Sequence, residues 1–497
     1  MKPIRLLIIA AVAGFLSLSA LAETPHDGYI IRFKDAASAA SAGKLVAALP
    51  TLYGTEEPSL DALYEPEVLY KTDDERLVSL FEQAGLVEYS EPDYYVRLYG
   101  YDYNADAGFA GQWAHTATHM TDAWQYGVYG NEVTVAVIDS GVDPSHPDLA
   151  ENLLPGYNYL LNSANPADMS DTVGHGTGVA GIICAAANGT GAVGAAHRAK
   201  VVPLKVADST TFLSSDLARA VFDAIYTYGA DVINMSFGYT NTSSVESTTI
   251  RGALEDAMSY GIIVVAAAGN IDKDLPAGAY SYPASYDGVI SVASLAKLST
   301  GDYAPASTSQ HNDRVTVIAP GSRVYTTHPG GSYLNREGTS FSSPYVAAVA
   351  ALAKSVDPDI TPEHFTELLI RTADKTPLAG AERNDSYGYG IVNAGALIRA
   401  LAAENSRGGF LSPIDRRTDG SITVRFCNLS DSTAEFSFFA RSGMSTTRPA
   451  SIRTVFRTLA AGEIAEADIT SLNAGGTISC YLLDRFSFRP MTEKRVG

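Results

Sequence analysis

Three short segments, far apart in the sequence, carry the residue types of nucleophilic catalysis. Asp139 follows an apolar run, His175 lies among glycines at the start of an apolar helical stretch, and Ser340 precedes another such stretch. A serine hydroxyl is a weak nucleophile, so a neutral imidazole must take its proton and a carboxylate must orient that imidazole. Singly, the three residues read as a strand-end turn, a solvated loop histidine and a helix N-cap. Together they predict nucleophilic catalysis by the serine hydroxyl.

The elements that must position these side chains are predicted by hydrophobic patterning. Near-continuous apolar runs are typical of strands covered on both faces, and they occupy residues 133–138, 231–235 and 261–266. Ala-rich helical stretches alternate with them, which predicts an α/β fold with a parallel sheet and helices on both faces. The carboxyl ends of parallel strands meet at one edge, so Asp139, Ser236 and Asn270, which follow the three runs, should converge.

The order Asp, His, Ser and the flanking motifs resemble the subtilisin-like serine proteases. The resemblance covers Gln112 to about Ala396 and includes the motifs at 231–238, 267–270 and 387–394. It implies a serine endopeptidase in which Asp139, His175 and Ser340 form the triad, while the Asn270 side-chain amide and the Ser340 backbone N–H hold the oxyanion. One departure is the pair Phe341 and Ser342, which stands where the family has Met and Ala.

The resemblance also implies where a polypeptide substrate binds. The chain would lie as an added strand beside 236–238, and a pocket would hold the side chain before the scissile bond (P1). The expected pocket walls are Ser236, Phe237, Gly238, Ala267, Ala268 and Gly269, with Ser281 near the base. None of these residues is a carboxylate, so we expect broad acceptance of uncharged P1 side chains.

A structural calcium ion is a further implication of the resemblance, because oxygen ligands suit Ca²⁺. The expected ligands are the side chains of Gln112, Asp148 and Asn188 and the carbonyls of Ala186, Thr190 and Ala192. Asp148 has an alternative explanation as a helix cap, and Asn188 as a turn residue.

Composition shifts divide the chain into four parts. Residues 1–22 form a predicted signal peptide, with Lys2 and Arg5 before a short apolar run and small residues at a cleavage site; an uncleaved anchor is the alternative. Residues 23–103 form a small α+β module resembling the family's inhibitory propeptide. Residues 104–404 form the peptidase domain, and 405–497 a β-sandwich-like domain of alternating strands. Autocleavage is expected between about Tyr94 and Gly111; a permanent N-terminal domain is the alternative.

Composition limits the partners. The 497-residue chain has a formal charge of -20 and no basic cluster, which argues against nucleic acid binding. Beyond the leader no apolar segment is long enough to predict a membrane span, so the mature protein is not expected to cross a membrane. The predicted signal peptide leads us to expect a secreted protein. Secretion permits a disulfide between Cys427 and Cys480, whereas Cys184 is expected to be a buried thiol.

Two other functions fit parts of the sequence. A secreted binding protein would use the C-terminal β domain and retain only a vestigial protease fold. A narrowly targeted processing protease would need that domain for folding. The intact set of Asp139, His175, Ser340 and Asn270 argues against the first of these.

Overall fold

The computed structural model describes residues 26–53, 61–64, 69–72, 74–94, 106–209, 211–240, 247–272, 275–405, 409–416, 422–430, 434–442, 451–460, 463–469, 478–484 and 495–496. Two compact units divide the chain, Met1–Tyr99 and Gly100–Gly497. The predicted signal peptide lies outside the described residues, as do residues 95–105 of the predicted cleavage region.

In the described part of the first unit, a four-stranded antiparallel sheet carries two helices. Its elements are β1 (His26–Phe33), α1 (Ala36–Tyr53), β2 (Asp61–Tyr64), β3 (Leu69–Thr72), α2 (Glu75–Gln83) and β4 (Val87–Tyr94), and the strand order is β2-β3-β1-β4. Ile31 and Phe33 of β1 pack against Phe81 of α2 in the core. The α+β pattern agrees with the prediction, and two short strands lie between the helices.

The second unit is built on an eight-stranded sheet whose central strands are parallel. Its strands, with two short pairs beside it, are β5 (Thr134–Asp139), β6 (Tyr157–Asn158), β7 (Lys200–Lys205), β8 (Val232–Met235), β9 (Tyr239–Thr240), β10 (Ile263–Ala267), β11 (Ser281–Tyr282), β12 (Ile290–Lys297), β13 (Tyr303–Pro305), β14 (Val317–Pro320), β15 (Val324–His328) and β16 (Ser332–Arg336). The sheet order is β13-β12-β10-β8-β5-β7-β6, and β14 also pairs with β12. The pairs β9–β11 and β15–β16 lie apart from this sheet.

Helices cover both faces of this sheet, as the continuous apolar strands predict. They are α3 (Trp113–Ala117), α4 (Met120–Gln125), α5 (His175–Cys184), α6 (Ser214–Tyr226), α7 (Thr248–Ser259), α8 (Ser343–Val356), α9 (Pro362–Thr372) and α10 (Ala394–Glu404). Val135 and Val137 of β5 join the core containing α5 and α8, whereas Ala136 and Ile138 join the core containing α6 and α7. Within the described residues, no helix has the combined length and apolarity to cross a bilayer.

The C-terminal region is a sandwich of two four-stranded sheets, as predicted. One contains β17 (Gly409–Leu411), β18 (Asp415–Arg416), β19 (Ile422–Asn428) and β22 (Ile464–Ile469), and the other β20 (Ala434–Ser442), β21 (Ser451–Leu459), β23 (Ile478–Asp484) and β24 (Arg495–Val496). Between the sheets Phe426 stacks on Phe438, with ring centroids 5.9 Å apart. Both sheets therefore share one core.

The two C-terminal cysteines lie in different cores, so the disulfide permitted by the sequence is not present. Cys427 packs with the peptidase core and Cys480 with the sandwich core. Adjacent residues of a strand point to opposite faces of the sheet. In β19, Phe426 points toward the second sheet of the sandwich, so the next residue, Cys427, points away from it. Cys184 is buried, as expected.

Arg425 ties the sandwich to the peptidase domain. Its guanidinium donates to the Trp124 carbonyl at 2.8 Å and to Glu466 at 2.7 Å, and both charged side chains are largely buried. We expect Arg425→Ala to lower the free energy of unfolding by about 2 kcal/mol, because the largely buried Glu466 and the Trp124 carbonyl both lose this donor. Denaturant unfolding measures this loss when the Ser340→Ala protein, which is inactive, is compared with the same protein that also carries Arg425→Ala. Arg314→Ala, which breaks a solvent-exposed pair with Asp287, is the control and should cost under about 0.5 kcal/mol; equal losses in the two variants would contradict the role of Arg425.

Candidate active site

The carboxyl end of β5 carries the carboxylate of the site. Asp139 is the last residue of β5, which lies between β7 and β8, and it is 5% exposed. Its Oδ1 accepts the Ser140 backbone N–H at 2.7 Å and lies 2.7 Å from Nδ1 of His175. A proton on Nδ1 donates to this carboxylate, which leaves Nε2 as the basic nitrogen.

His175 is the first residue of α5, and opposing forces act on its imidazole. Burial disfavours the charged ring, but the Asp139 carboxylate outweighs burial, and Asp171 adds to its effect, so the pKa of His175 is raised above its ordinary value. The positive charge of Arg336 acts in the opposite direction. An imidazole stabilised in this way can accept a proton from a hydroxyl and return it.

Ser340 lies in the 3₁₀ turn Thr339–Phe341, immediately before α8. Its Oγ donates to the carbonyl oxygen of Ser236 at 2.8 Å, and no hydrogen bond joins it to His175 in the described structure. Both side chains line the same pocket. The hydroxyl must therefore exchange the Ser236 carbonyl for the imidazole as its acceptor before it can give its proton to His175.

The amide of Asn270 is oriented by Thr339, the residue before the nucleophile. Asn270 Oδ1 accepts the backbone N–H of Thr339 at 3.0 Å and its hydroxyl at 3.2 Å. With the oxygen engaged, Nδ2 remains as the donor. Gly338 has φ 122°, and a Cβ there would lie 3.2 Å from Nδ2, so a glycine leaves room for this amide. Sequence analysis did not identify Thr339, because its partner is 69 positions away.

One pocket of about 550 Å³ joins these groups. Of the residues predicted to act in catalysis or to bind substrate, it is lined by Asp139, His175, Ser340, Asn270, Ser236, Phe237, Gly238, Ala267, Gly269 and Ser281. Ala268 is the exception. Its side chain packs in the core with Ala293 and Leu295, and its backbone N–H pairs with Val292.

Ser281 lies where two glycines of the pocket wall come together. A Cβ on Gly269 would approach the Ser281 side chain at 3.2 Å, and one on Gly238 would overlap its hydroxyl. The Ser281 Oγ is buried and has no hydrogen-bond partner among the described residues. This part of the pocket therefore presents a neutral hydroxyl. Asp272, which sequence analysis did not name, also lines the pocket, but it is exposed and accepts the Leu275 N–H.

Asp171 connects the carboxylate segment to the histidine segment. Its Oδ1 accepts the Ser140 hydroxyl at 2.9 Å and the Gly174 N–H at 2.8 Å, while its Oδ2 accepts the N–H and hydroxyl of Thr177. Ser140 follows Asp139, and Gly174 and Thr177 flank the start of α5. Sequence analysis missed Asp171, although an acidic residue shortly before a helix is a known capping signal.

We expect Asp171→Ala to lower kcat/KM by about 10- to 100-fold, because His175 loses the contacts that position its turn. The acid limb of the pH profile should also move to lower pH, since Asp171 raises the pKa of His175. Measuring kcat/KM from pH 4 to 9 tests both effects. Asp168→Ala removes a nearby carboxylate that bonds Ser163 instead, and it should leave the profile unchanged. A wild-type profile in Asp171→Ala would contradict this positioning role.

The residues predicted to bind calcium lie together around the loop 186–193. Asp148 is fully buried; its Oδ2 accepts the Ala192 N–H at 2.9 Å, and its Oδ1 accepts from the side chains of Asn188 and Thr190. Gln112 pairs with the backbone of Val193 through both side-chain atoms.

Two further features of this loop bear on the predicted calcium site. The carbonyl oxygens of Ala186, Thr190 and Ala192 accept no hydrogen bond from the described residues. A second carboxylate, Asp106, is 3% exposed and accepts the Gly189 N–H; burial, and then the nearby Asp148, raise its pKa above the ordinary value. Unengaged carbonyls beside buried carboxylates are the chemistry that Ca²⁺ requires. The side-chain oxygens of Gln112 and Asn188, by contrast, accept hydrogen bonds from Val193 and Thr190.

The geometry can be compared with known proteins. The Subtilase family profile matches residues 130–390. Subtilisin E of Bacillus subtilis is 31% identical over 398 residues, which cover 79% of this chain and 96% of the relative. A solved protease structure from Pseudoalteromonas arctica matches with a TM-score of 0.53 and 33% identity, covering 60% of this chain and 99% of that one. Fervidolysin of Fervidobacterium pennivorans matches in fold, with a TM-score of 0.55 at 21% identity and coverage of 97% and 77%.

The family-typical order of Asp, His and Ser falls within the matched range, and the three residues line one pocket. The chain therefore belongs to the subtilase family and is a serine endopeptidase that acts on polypeptides.

Proposed function

We propose that this subtilase is secreted as a zymogen, is stabilised by calcium, and cleaves peptide bonds through Asp139, His175 and Ser340 with broad acceptance of uncharged P1 residues. The observation that carries the proposal is the 2.7 Å contact between Asp139 and His175, which opens onto the same pocket as Ser340 and Asn270.

In the proposed mechanism, Ser340 Oγ attacks the substrate carbonyl carbon while His175 Nε2 takes the hydroxyl proton. Asp139 holds the other imidazole proton on Nδ1 and stabilises the imidazolium. The carbonyl oxygen becomes an oxyanion that accepts hydrogen bonds from Asn270 Nδ2 and the Ser340 backbone N–H. His175 then protonates the leaving amine, and a water molecule repeats these steps on the acyl-enzyme.

The P1 preference is supported by the neutral hydroxyl of Ser281 between the pocket glycines. A peptide library varied at P1 tests it. We expect Ala, Leu, Met and Phe all to be accepted, with kcat/KM varying by up to about 200-fold among them, since one methylene in an apolar pocket is worth about 1–3 kcal/mol. Cleavage after Lys or Arg above all others would assign a specificity role to Asp272 and overturn the proposal. Cleavage of a single motif would favour a narrow processing protease.

The maturation site is narrowed by contacts of the segment 106–111. Asp106 is buried and bonded to Gly189, and the Gly108 N–H donates to the Gly191 carbonyl at 2.7 Å. Cleavage after these residues would discard contacts of the peptidase domain. We therefore propose that the cleaved bond is the one before Asp106 or an earlier one, within the region expected from the sequence.

N-terminal sequencing of protein collected from the culture medium tests secretion and maturation together. Wild-type protein should begin between residues 95 and 106, and Ser340→Ala should retain the N-terminal module and begin at Glu23. A wild-type chain beginning at Glu23 would contradict processing. Retention of all chains inside the cell would contradict secretion.

Calcium would be held by Asp148 and the carbonyls of Ala186, Thr190 and Ala192, and it would tie the loop 186–193 to the domain. We expect calcium added to EDTA-treated Ser340→Ala protein to raise the midpoint of thermal unfolding. A ligand at 1,000 times its Kd adds about 4 kcal/mol to the folded state. Asp148→Asn should lose most of this increase, and magnesium should not reproduce it. An unfolding midpoint independent of calcium would contradict the site.

A further inference from the structure

The hairpin β15–β16 packs against the start of α5. Thr326 and Thr327 of β15 donate through their hydroxyls to the carbonyls of Gly178 and Thr177, each at 2.7 Å. Arg336 is the last residue of β16. The hairpin therefore delivers an arginine to the turn that precedes His175.

Arg336 is held in place on three sides. Its Nη2 donates to the Gly174 carbonyl at 2.6 Å and lies 2.8 Å from His328 Nδ1. Its guanidinium lies 5.9 Å from the centroid of the Phe341 ring, and that ring lies 5.3 Å from the His175 ring. Burial and the Arg336 charge lower the pKa of His328, which keeps that imidazole neutral and able to accept.

The close packing depends on Gly174. A Cβ at this residue would lie 2.6 Å from His328 Cε1 and 2.9 Å from Arg336 Nη2. Gly174 also has φ 75°, a conformation that other residues rarely adopt. The glycine before the histidine thus lets Arg336 approach His175.

No carboxylate within the described residues forms an ion pair with Arg336. The nearest acidic influence on this cluster is Asp171, but Ser140, Gly174 and Thr177 occupy its oxygens. The Arg336 Nε is buried and has no hydrogen-bond partner among the described residues. The guanidinium is therefore oriented and half-buried, and no anion among the described residues pairs with it. Because Nη2 is engaged and Nε is buried, Nη1 is the donor that remains for a substrate carboxylate.

The position of Arg336 relates it to one side of the scissile bond. Arg336 is not among the residues that line the pocket around Ser236, Gly238 and Ser281, which would hold the acyl part of the substrate. It bonds instead to the carbonyl of Gly174, the residue before His175, and lies 5.9 Å from the ring of Phe341, which follows the nucleophile. His175 would give a proton to the leaving amine, so the leaving-group portion of a bound peptide would pass on the side where Arg336 lies.

We propose that Arg336, oriented by His328 and Gly174, is a specificity residue that binds an acidic substrate side chain on the leaving-group side of the scissile bond. This inference rests on the proposed function. The preferred polypeptide would carry Asp or Glu at the first or second position after the cleaved bond.

Quenched fluorogenic peptides that differ only in Asp or Asn at each of these positions test the inference. For the wild-type enzyme we expect kcat/KM to favour Asp by about 3- to 10-fold at one position, the range expected for a partly exposed, charge-assisted hydrogen bond. High salt should reduce the preference. Arg336→Gln should bring the ratio close to 1, and Arg336→Lys should retain part of it.

Arg371→Gln is the matched control, since Arg371 pairs with Glu404 on α9 and α10, away from the pocket. It should retain the wild-type ratio. A wild-type enzyme that cleaves the Asn peptides as well as the Asp peptides, or an unchanged ratio in Arg336→Gln, would overturn the inference. If Arg336→Gln does not fold, the wild-type ratio and its salt dependence decide. Failure to cleave any peptide would instead contradict the proposed function.

Discussion

Ser340→Ala is expected to lower kcat by about 10⁶-fold, because the substitution removes the hydroxyl on which the acyl-enzyme would form. This is the size known for loss of the nucleophile in subtilisin. Turnover of a fluorogenic peptide, with active-site titration to exclude trace wild-type enzyme, measures the loss.

The neighbouring serine provides a matched control for this substitution. The Ser342 hydroxyl is buried and has no hydrogen-bond partner among the described residues, so Ser342→Ala removes no described contact of the site. We expect it to retain wild-type activity within about threefold, as for a substitution that leaves the transition-state contacts intact. Substantial activity in Ser340→Ala, or an equal loss in Ser342→Ala, would contradict the assignment of the nucleophile.

Asn270→Ala is expected to lower kcat by about 10²- to 10³-fold while KM changes little, because its amide donates to charge that exists only in the transition state. The size is again that known for one oxyanion donor in subtilisin. Steady-state kinetics with a single peptide separate the two constants. Asn165→Ala, an exposed helix cap, should leave both unchanged.

The orientation of Asn270 gives this prediction a second check. Thr339 holds Asn270 Oδ1 through its N–H and its hydroxyl, so Thr339→Val should lower kcat in the same direction but by less, because the N–H remains. An unchanged kcat in Asn270→Ala, or a loss confined to KM, would contradict the oxyanion role.

Much of the sheet could be predicted because its signal is local. The apolar run 133–138 anticipates β5 to within one residue, since strands buried on both faces need apolar side chains at every position. The same topology brings Asp139, Ser236 and Asn270 to one pocket, as expected from their places after three strands. These inferences needed only strand periodicity and the rule that parallel strands share an edge.

Other features of the site depend on contacts between distant residues and had no local signal. Asp171 accepts a hydrogen bond from Ser140, 31 positions away, and the Ser340 hydroxyl donates to the Ser236 carbonyl, 104 positions away. Arg336 gains its place near His175 only through the packing of a hairpin on α5. Ala268 follows a buried strand, and its position in the sequence does not decide whether its side chain faces the pocket or the core. The structure places it in the core.

The same limit applies to the C-terminal domain. Alternating strands predicted a sandwich, but which face each strand turns inward depends on its partner. Cys427 and Cys480 therefore could not be assigned to one core from their strands alone, and the structure separates them.

Covalent labelling tests the central claim most directly. A fluorophosphonate probe reacts with a serine only when a base activates it and an oxyanion site receives the phosphoryl oxygen. Mature wild-type protein should gain one adduct, located by peptide mass spectrometry on Ser340, and heat-denatured protein or Ser340→Ala should gain none. An active wild-type enzyme that stays unlabelled, or carries its adduct on another residue, would contradict the account.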